Sequence, residues 1–251
     1  MNWILFQPSE VSADGRVELS GARAAHIQNV LRAKTGKTLR IGLLNGPLGT
    51  GTVEALTASR VVLACEFEEN PLPRPSIDLL LAMPRPKVLK RLWAQLAALG
   101  VGRIILTNAE KVERFYFDTH VLDPDFYNAR LIEGLQQAGD THLPEVTIVK
   151  NLKPFLEQEI FSRIGTKLLA DPSGTQNVFQ TLEGSRGKFP DIGRILLAIG
   201  PEGGWTPYEL DMFQAHGFER VGMGSRILRT DTACIALVSL LTESLRNSGS
   251  P

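Results

Sequence analysis

The sequence predicts an α/β protein in which a small β domain precedes a larger domain built on a parallel sheet. Three observations carry this. Pro71, Pro73 and Pro75 form a stiff, extended connector that no helix crosses. Before it, short β-like runs are separated by turn signals. After it, apolar strand-like runs alternate with helical patterns, which is the arrangement of a parallel sheet with helices on both faces. The expected domains are residues 1–72 and 75–251.

In the first domain, residues 17–19, 38–44, 51–55 and 61–65 read as strands, with turns at Asn45-Gly46 and Leu48-Gly49. One helix is expected over 21–33, carrying Arg23, His26 and Arg32. Together these make a small barrel-like β domain. In the second domain, strands are expected at 77–82, 103–107, 145–149, 167–170 and 195–199, with helices over 86–99 and 126–138 and others between and after. Pro86 suits the first helical position, and Leu89, Leu92, Trp93, Leu96 and Leu99 form the apolar stripe of that helix. No internal repeat or low-complexity tract is present.

Composition narrows the classes. The chain has 251 residues, 43% of them hydrophobic, and 27 Lys plus Arg against 27 Asp plus Glu. Any basic face is therefore local. Cys65 and Cys234 lie far apart in apolar surroundings and read as reduced, buried thiols. No signal peptide precedes Gln7-Pro8-Ser9. The most apolar helix, 233–241, is far short of the roughly 20 residues a bilayer needs. The expectation is a soluble, cytoplasmic protein.

Two glycine-bearing loops stand out near the C-terminus. Gly200-Pro201-Glu202-Gly203-Gly204 follows the apolar run 195–199, and Gly222-Met223-Gly224-Ser225-Arg226-Ile227-Leu228-Arg229 leads into Thr230-Asp231-Thr232-Ala233. Glycines at the end of a buried strand let the backbone approach a ligand closely, at the sheet edge where ligands bind. Thr206-Pro207-Tyr208-Glu209 is a capping box that starts a helix after the first loop. No Gly-Lys-Ser/Thr follows the glycines, which excludes a triphosphate P-loop. No Gly-x-Gly-x-x-Gly opens the first strand–helix unit, which argues against NAD. Glu202 either orients a ligand's amino group or caps local backbone amides. Arg229 sits at the mouth of the last helix, where a cation does not complement the helix dipole. It therefore faces a carboxylate or phosphate of the chain or of a substrate.

Arg85, Lys87, Lys90 and Arg91 cluster at the start of one helix, either as a solvated face or as a track for phosphates. His26 reads as a packing or capping residue rather than a catalyst. His120, His142 and His216 lack metal-ligand spacing, so no metal is expected.

Residues 197–205 with Glu209, followed by 224–233, resemble the signature of RsmE-type 16S ribosomal RNA methyltransferases. The similarity extends to Leu81-Ala82-Met83-Pro84-Arg85-Pro86-Lys87 and to Gln137-Ala138-Gly139 through Val146, and so covers nearly the whole chain. Asp231 stands where the family usually has Glu, and Asp140 where its pattern commonly ends in Arg. The resemblance implies a SPOUT-type parallel sheet with a C-terminal trefoil knot, preceded by a PUA-like β-barrel RNA-binding domain. It implies a homodimer and an S-adenosylmethionine (SAM) site built by Ile199, Gly200, Glu202, Gly203, Gly204, Met223, Gly224, Ile227, Leu228, Arg229, Thr232 and Ala233. It further implies methylation of N3 of one uridine of 16S rRNA in the small ribosomal subunit. Arg229 is then the candidate for stabilising the uridine anion, with Glu202 an orienting group or base. His26, Arg32, Arg85, Lys87, Lys90 and Arg91 are the candidate RNA contacts.

Overall fold

The alternating pattern before the prolines folds as a five-stranded sheet. A computed structural model describes residues 3–157, 165–185 and 194–248. Strands β1 (Ile4–Phe6), β2 (Arg16–Ser20), β3 (Thr38–Leu43), β4 (Leu48–Leu56) and β5 (Arg60–Phe67) lie in the order β1-β3-β4-β5-β2. β1 is parallel to β3, and the other neighbours are antiparallel. β2 shows the period of two directly: Val17 and Leu19 are buried, while Arg16, Glu18 and Ser20 are exposed. Phe6, Leu19, Ile41, Val53 and Leu63 form the core with Ile27 of helix α1 (Gly21–Asn29).

This helix is shorter than the sequence predicts. Arg32 has a φ of 47°, in the left-handed region, so it lies in the turn beyond the helix and shares no helix face with Arg23. Arg23 itself is ion-paired to Glu10. The unit runs to Arg74 and also takes in Ile132–Leu143, a segment beyond the proline boundary. Hydrogen bonds explain its attachment. The Trp3 N–H donates to the Gln136 carbonyl at 3.0 Å, the Asn45 N–H to the Thr141 carbonyl at 2.7 Å, and the Thr141 hydroxyl to the Gly46 carbonyl at 2.6 Å.

The second unit is built on six strands, β6 (Ile77–Ala82), β7 (Val101–Thr107), β8 (Glu145–Val149), β9 (Thr166–Ala170), β10 (Ile195–Ile199) and β11 (Glu219–Val221). Their order is β11-β9-β10-β6-β7-β8, and every neighbouring pair is parallel. β6 and β10 are buried at every position, as continuous apolar runs covered on both faces should be. Its helices are α2 (Pro86–Ala98), α4 (Leu152–Leu156), α5 (Val178–Ser185), α6 (Pro207–Ala215) and α7 (Thr230–Ser248), together with the first half of α3 (Pro124–Ala138), whose second half belongs to the first unit. α7 packs against α2, α5, β6 and β10 and buries Cys234, Leu237, Val238 and Leu241.

The two ends of this sheet differ in chemistry. Near the amino end, Arg194 donates to both carboxylate oxygens of buried Asp78, at 3.0 and 2.5 Å, and to the Pro75 carbonyl at 3.1 Å. At the carboxyl end, backbones touch. The Gly222 N–H donates to the Gln176 carbonyl at 2.9 Å, and the Asp171 N–H to the Val221 carbonyl at 3.1 Å. A Cβ on Gly222 would lie 2.3 Å from the Gly174 carbonyl oxygen.

Both cysteines are free, Cys234 buried and Cys65 half-buried. Burial pushes the Cys65 thiol up to about 11, and burial with nearby Asp231 pushes Cys234 up further, so neither is poised as a nucleophile. Among the described residues no helix is long and apolar enough to cross a membrane.

The backbone contact has a measurable consequence. Gly222→Ala forces a methyl group onto a carbonyl that cannot move alone, and is expected to cost about 2–3 kcal/mol in urea unfolding. Gly184→Ala, in helix α5 with open space around it, is expected to stabilise by about 0.5–1 kcal/mol. Equal effects from the two would contradict the packing described.

Candidate functional site

At the carboxyl ends of β9 and β10, three loops enclose a cavity with an empty volume of about 840 Å³, part of it open to solvent. The carboxyl ends of the strands are the place expected of a small-molecule site in a parallel sheet. The first loop follows β10 and contributes Ile199, Gly200, Pro201, Glu202, Gly204 and Trp205. The second contributes Met223, Arg226, Ile227 and Leu228. The start of α7 adds Thr230, Ala233 and Leu237. The two glycine loops, 19 residues apart between Gly204 and Met223 in sequence, thus form opposite parts of one wall.

Local chemistry explains why the loops hold their shape. The Gly204 N–H closes a turn on the Pro201 carbonyl at 2.8 Å, and Gly204 has a φ of 69°. The Thr206 hydroxyl and backbone N–H meet the Glu209 carboxylate, completing the capping box that starts α6. Glu209 is nonetheless buried, and its other oxygen accepts from the Glu110 N–H at 2.8 Å, which pins the loop after β7 to α6. The Lys111 ammonium donates to the Gly203 carbonyl at 2.8 Å. The Thr230 hydroxyl reaches the Gly200 carbonyl at 3.4 Å, a weak tie between α7 and the first loop.

Not every residue expected from the sequence reaches the cavity. Gly203, Gly224, Arg229 and Thr232 do not line it, whereas Ile199, Gly200, Glu202, Gly204, Met223, Ile227, Leu228 and Ala233 do. Gly203 packs on the Lys111 side chain instead. Arg229 caps α7 through its carbonyl, which accepts from the Ala233 N–H at 2.8 Å. Its side chain is exposed, and no carboxylate of the chain faces it among the described residues. The nearby acid, Asp231, is paired with Arg91 at 3.2 Å. Glu202, for its part, accepts from the backbone N–H of Arg85 at 3.2 Å. It caps an amide, but that of a residue 117 positions away at the start of α2, not one of its own loop.

Ala170, Asp171 and Pro172 also line the cavity and were not anticipated. The signal was present: Asp171-Pro172-Ser173-Gly174 is a turn directly after a buried parallel strand. Trp205, which the sequence places only within the run 197–205, also lines the cavity. Its indole Nε1 is buried without a hydrogen-bond partner, a donor in the cavity wall with nothing to donate to among the described residues.

Of the basic residues, Arg85, Lys87, Lys90 and Arg91 are all exposed at the start of α2. Lys90 sits 5.9 Å from the Phe126 ring centroid, and Arg91 is engaged by Asp231. In the first unit, His26 lines a small cavity with Trp3, Arg23 and Gln136.

Residues 70–242 match the RNA methyltransferase domain family. The ribosomal RNA small subunit methyltransferase E of Treponema pallidum is 32% identical, over 96% of this chain and 90% of that protein. Ribosomal RNA small subunit methyltransferase E 1 of Borreliella burgdorferi is 28% identical, over 91% and 92%. Among solved structures, a methyltransferase from Legionella pneumophila with bound SAM superposes with a TM-score of 0.76 at 25% identity, covering 96% of this chain and 97% of that one. A ribosomal RNA small subunit methyltransferase E from Neisseria gonorrhoeae bound to SAM has the same TM-score at 22% identity and shares the fold, with 97% of each chain covered.

The Glu202 tie predicts a stability effect separable from chemistry. Glu202→Ala removes an anionic acceptor from a helix N-terminus and is expected to cost about 1 kcal/mol in urea unfolding, with Glu202→Gln retaining much of the bond. Indistinguishable stabilities of wild type and Glu202→Ala would refute the tie.

Proposed function

This chain belongs to the ribosomal RNA small subunit methyltransferase E family and is a SAM-dependent methyltransferase of 16S ribosomal RNA; we propose that it methylates N3 of one uridine in the small subunit and holds SAM in the cavity at the carboxyl ends of β9 and β10. The observation that carries the site is the meeting of both glycine loops and α7 around that cavity.

The residues suit the cofactor. Ile199, Leu228, Ala233 and Leu237 offer apolar walls for an adenine ring, and Gly200 and Gly204 leave backbone within reach. The unpartnered Trp205 N–H supplies a donor. Bound there, SAM supplies an electrophilic methyl group. The chain's own residues then have two tasks. Uridine N3 carries a proton, so the ring must be held as, or on its way to, an anion. Arg229, exposed and with no carboxylate to neutralise it, is the guanidinium we assign to that negative charge. Glu202, on the cavity wall and held by the Arg85 amide, orients the ligand or accepts the proton.

Three finer features complete the reading. The first unit serves as a PUA-like barrel that, with His26, Arg32, Arg85, Lys87, Lys90 and Arg91, contacts rRNA phosphates. The segment from Met223 through α7 forms a trefoil knot. Support comes from β10 lying between β6 and β9 and from α7 returning against β6 and β10. Two copies form a homodimer, for which the exposed Ile227 is one apolar contact point.

The test is methyl transfer from radiolabelled SAM to small subunits lacking the modification, with the product nucleoside identified by mass spectrometry. N3-methyluridine is expected. Arg229→Ala is expected to lower kcat about a hundredfold while leaving SAM affinity near wild type. A different methylated base, or full activity in Arg229→Ala, would overturn the corresponding assignment.

A further inference from the structure

A second concavity opens on the same edge of the parallel sheet, at the carboxyl ends of β7 and β8. Asn108 and Glu110 follow β7, Lys150 and Lys153 follow β8, and Thr206 and Tyr208 come from the start of α6. Nothing in the methyl-transfer chemistry above uses it.

Its lining has a consistent chemical character. Tyr208 is 65% exposed at the start of a helix, a large aromatic ring left in water that no packing in the unit requires. The Asn108 side-chain oxygen is buried and lacks a hydrogen-bond partner among the described residues. A buried acceptor of this kind costs free energy until a donor reaches it. Lys150 and Lys153 are exposed, and no partner holds them among the described residues.

Two carboxylates share the rim, and they differ. Glu209 is buried with its oxygens occupied by the Thr206 N–H, the Thr206 hydroxyl and the Glu110 N–H. Glu110 is exposed, so the two carboxylates balance the two lysines overall, and any attraction for a phosphate is local to the exposed Lys150 and Lys153 ammonium groups. The floor is also preorganised, because the Glu209 bond locks the loop after β7 against α6 before any ligand arrives.

We infer that this concavity binds an unpaired nucleotide of the RNA substrate flanking the one that is methylated. The base stacks on Tyr208, its edge donates to Asn108, and its phosphate lies at Lys150 and Lys153. An exposed aromatic, an amide oxygen without a partner and exposed ammonium groups are elements with which proteins hold single-stranded RNA. Position agrees with this. Trp205 lines the cofactor cavity, and Thr206, its neighbour in sequence, lines this one. The two cavities are therefore neighbours along the carboxyl edge of the sheet, and an RNA strand that offers one base to the methyl donor passes the second concavity. The inference rests on the reading of the chain as an RNA methyltransferase, and its test is kept separate from activity.

The experiment is fluorescence anisotropy of a fluorescein-labelled single-stranded oligouridine titrated with the full chain. SAM binding by calorimetry and methyl transfer are run in parallel. Tyr208→Ala is expected to weaken oligouridine binding about tenfold, and Tyr208→Phe to restore it, because a ring without the hydroxyl still stacks. The double substitution Lys150→Gln/Lys153→Gln is expected to flatten the slope of log K against log salt by about 1.4, or about 0.7 for each lost contact with a single strand. SAM affinity is expected to stay at the wild-type value in all of them.

Wild type that binds no oligouridine, or variants that keep its affinity and salt slope, would overturn the inference whatever the activity. Oligouridine binding that depends on Tyr208 in a protein that transfers no methyl groups would support the pocket and count against the methyltransferase reading instead.

Discussion

The architecture of the site depends on one close approach of backbone to backbone. Gly174 and Gly222 meet where any side chain at either position would strike the other's main chain. That contact, with the Asp171–Val221 and Gln176–Gly222 hydrogen bonds, draws the loop after β9 and the loop after β11 together. Only then does the Met223–Leu228 segment lie opposite the glycine turn after β10, and only then can α7 begin where Thr230 touches the Gly200 carbonyl. The cavity is thus a consequence of packing loops without side chains between them. A ligand there meets mainly backbone and small apolar walls.

The remaining polar groups act as ties between loops. Glu209 is the clearest case, since one buried carboxylate both caps its own helix and fastens the loop after β7. Glu202 and Lys111 hold the glycine turn from two further sides, to the start of α2 and to the loop after β7. A turn anchored at several points keeps its shape when a ligand enters, which spares the ordering cost of binding. The charged groups left without such duties, Arg226 and Arg229 beside the cavity and Lys150 and Lys153 beyond it, are those an anionic substrate can engage. The ion pair of Arg194 with Asp78 sits near the amino end of the sheet and serves stability, apart from the chemistry.

What the sequence made legible follows from how local each signal is. Strand and helix alternation after the prolines, the capping box at Thr206 and the glycine turn after Ile199 are each written within a few residues. Both glycine loops could therefore be named as one candidate site. The order of the strands could not, because the insertion of β10 between β6 and β9 is decided by packing over long stretches of chain. Glu202 capping an amide 117 residues away and Glu209 bonding the loop after β7, 99 residues distant, are invisible for the same reason. The left-handed turn at Arg32 ended a helix whose periodicity ran on. Likewise, the attachment of Ile132–Leu143 to the first unit rests on backbone bonds that no residue pattern announces.

The cavity framed by the two glycine loops and α7 is the proposed place of SAM binding. Calorimetric titration of the chain with SAM tests it most directly, comparing wild type with Ala233→Trp, whose side chain would fill the α7 wall of the cavity. One saturable site per chain is expected in wild type and its loss in the variant, with the circular dichroism spectrum unchanged. Undiminished SAM binding by a folded Ala233→Trp protein would place the cofactor outside this cavity.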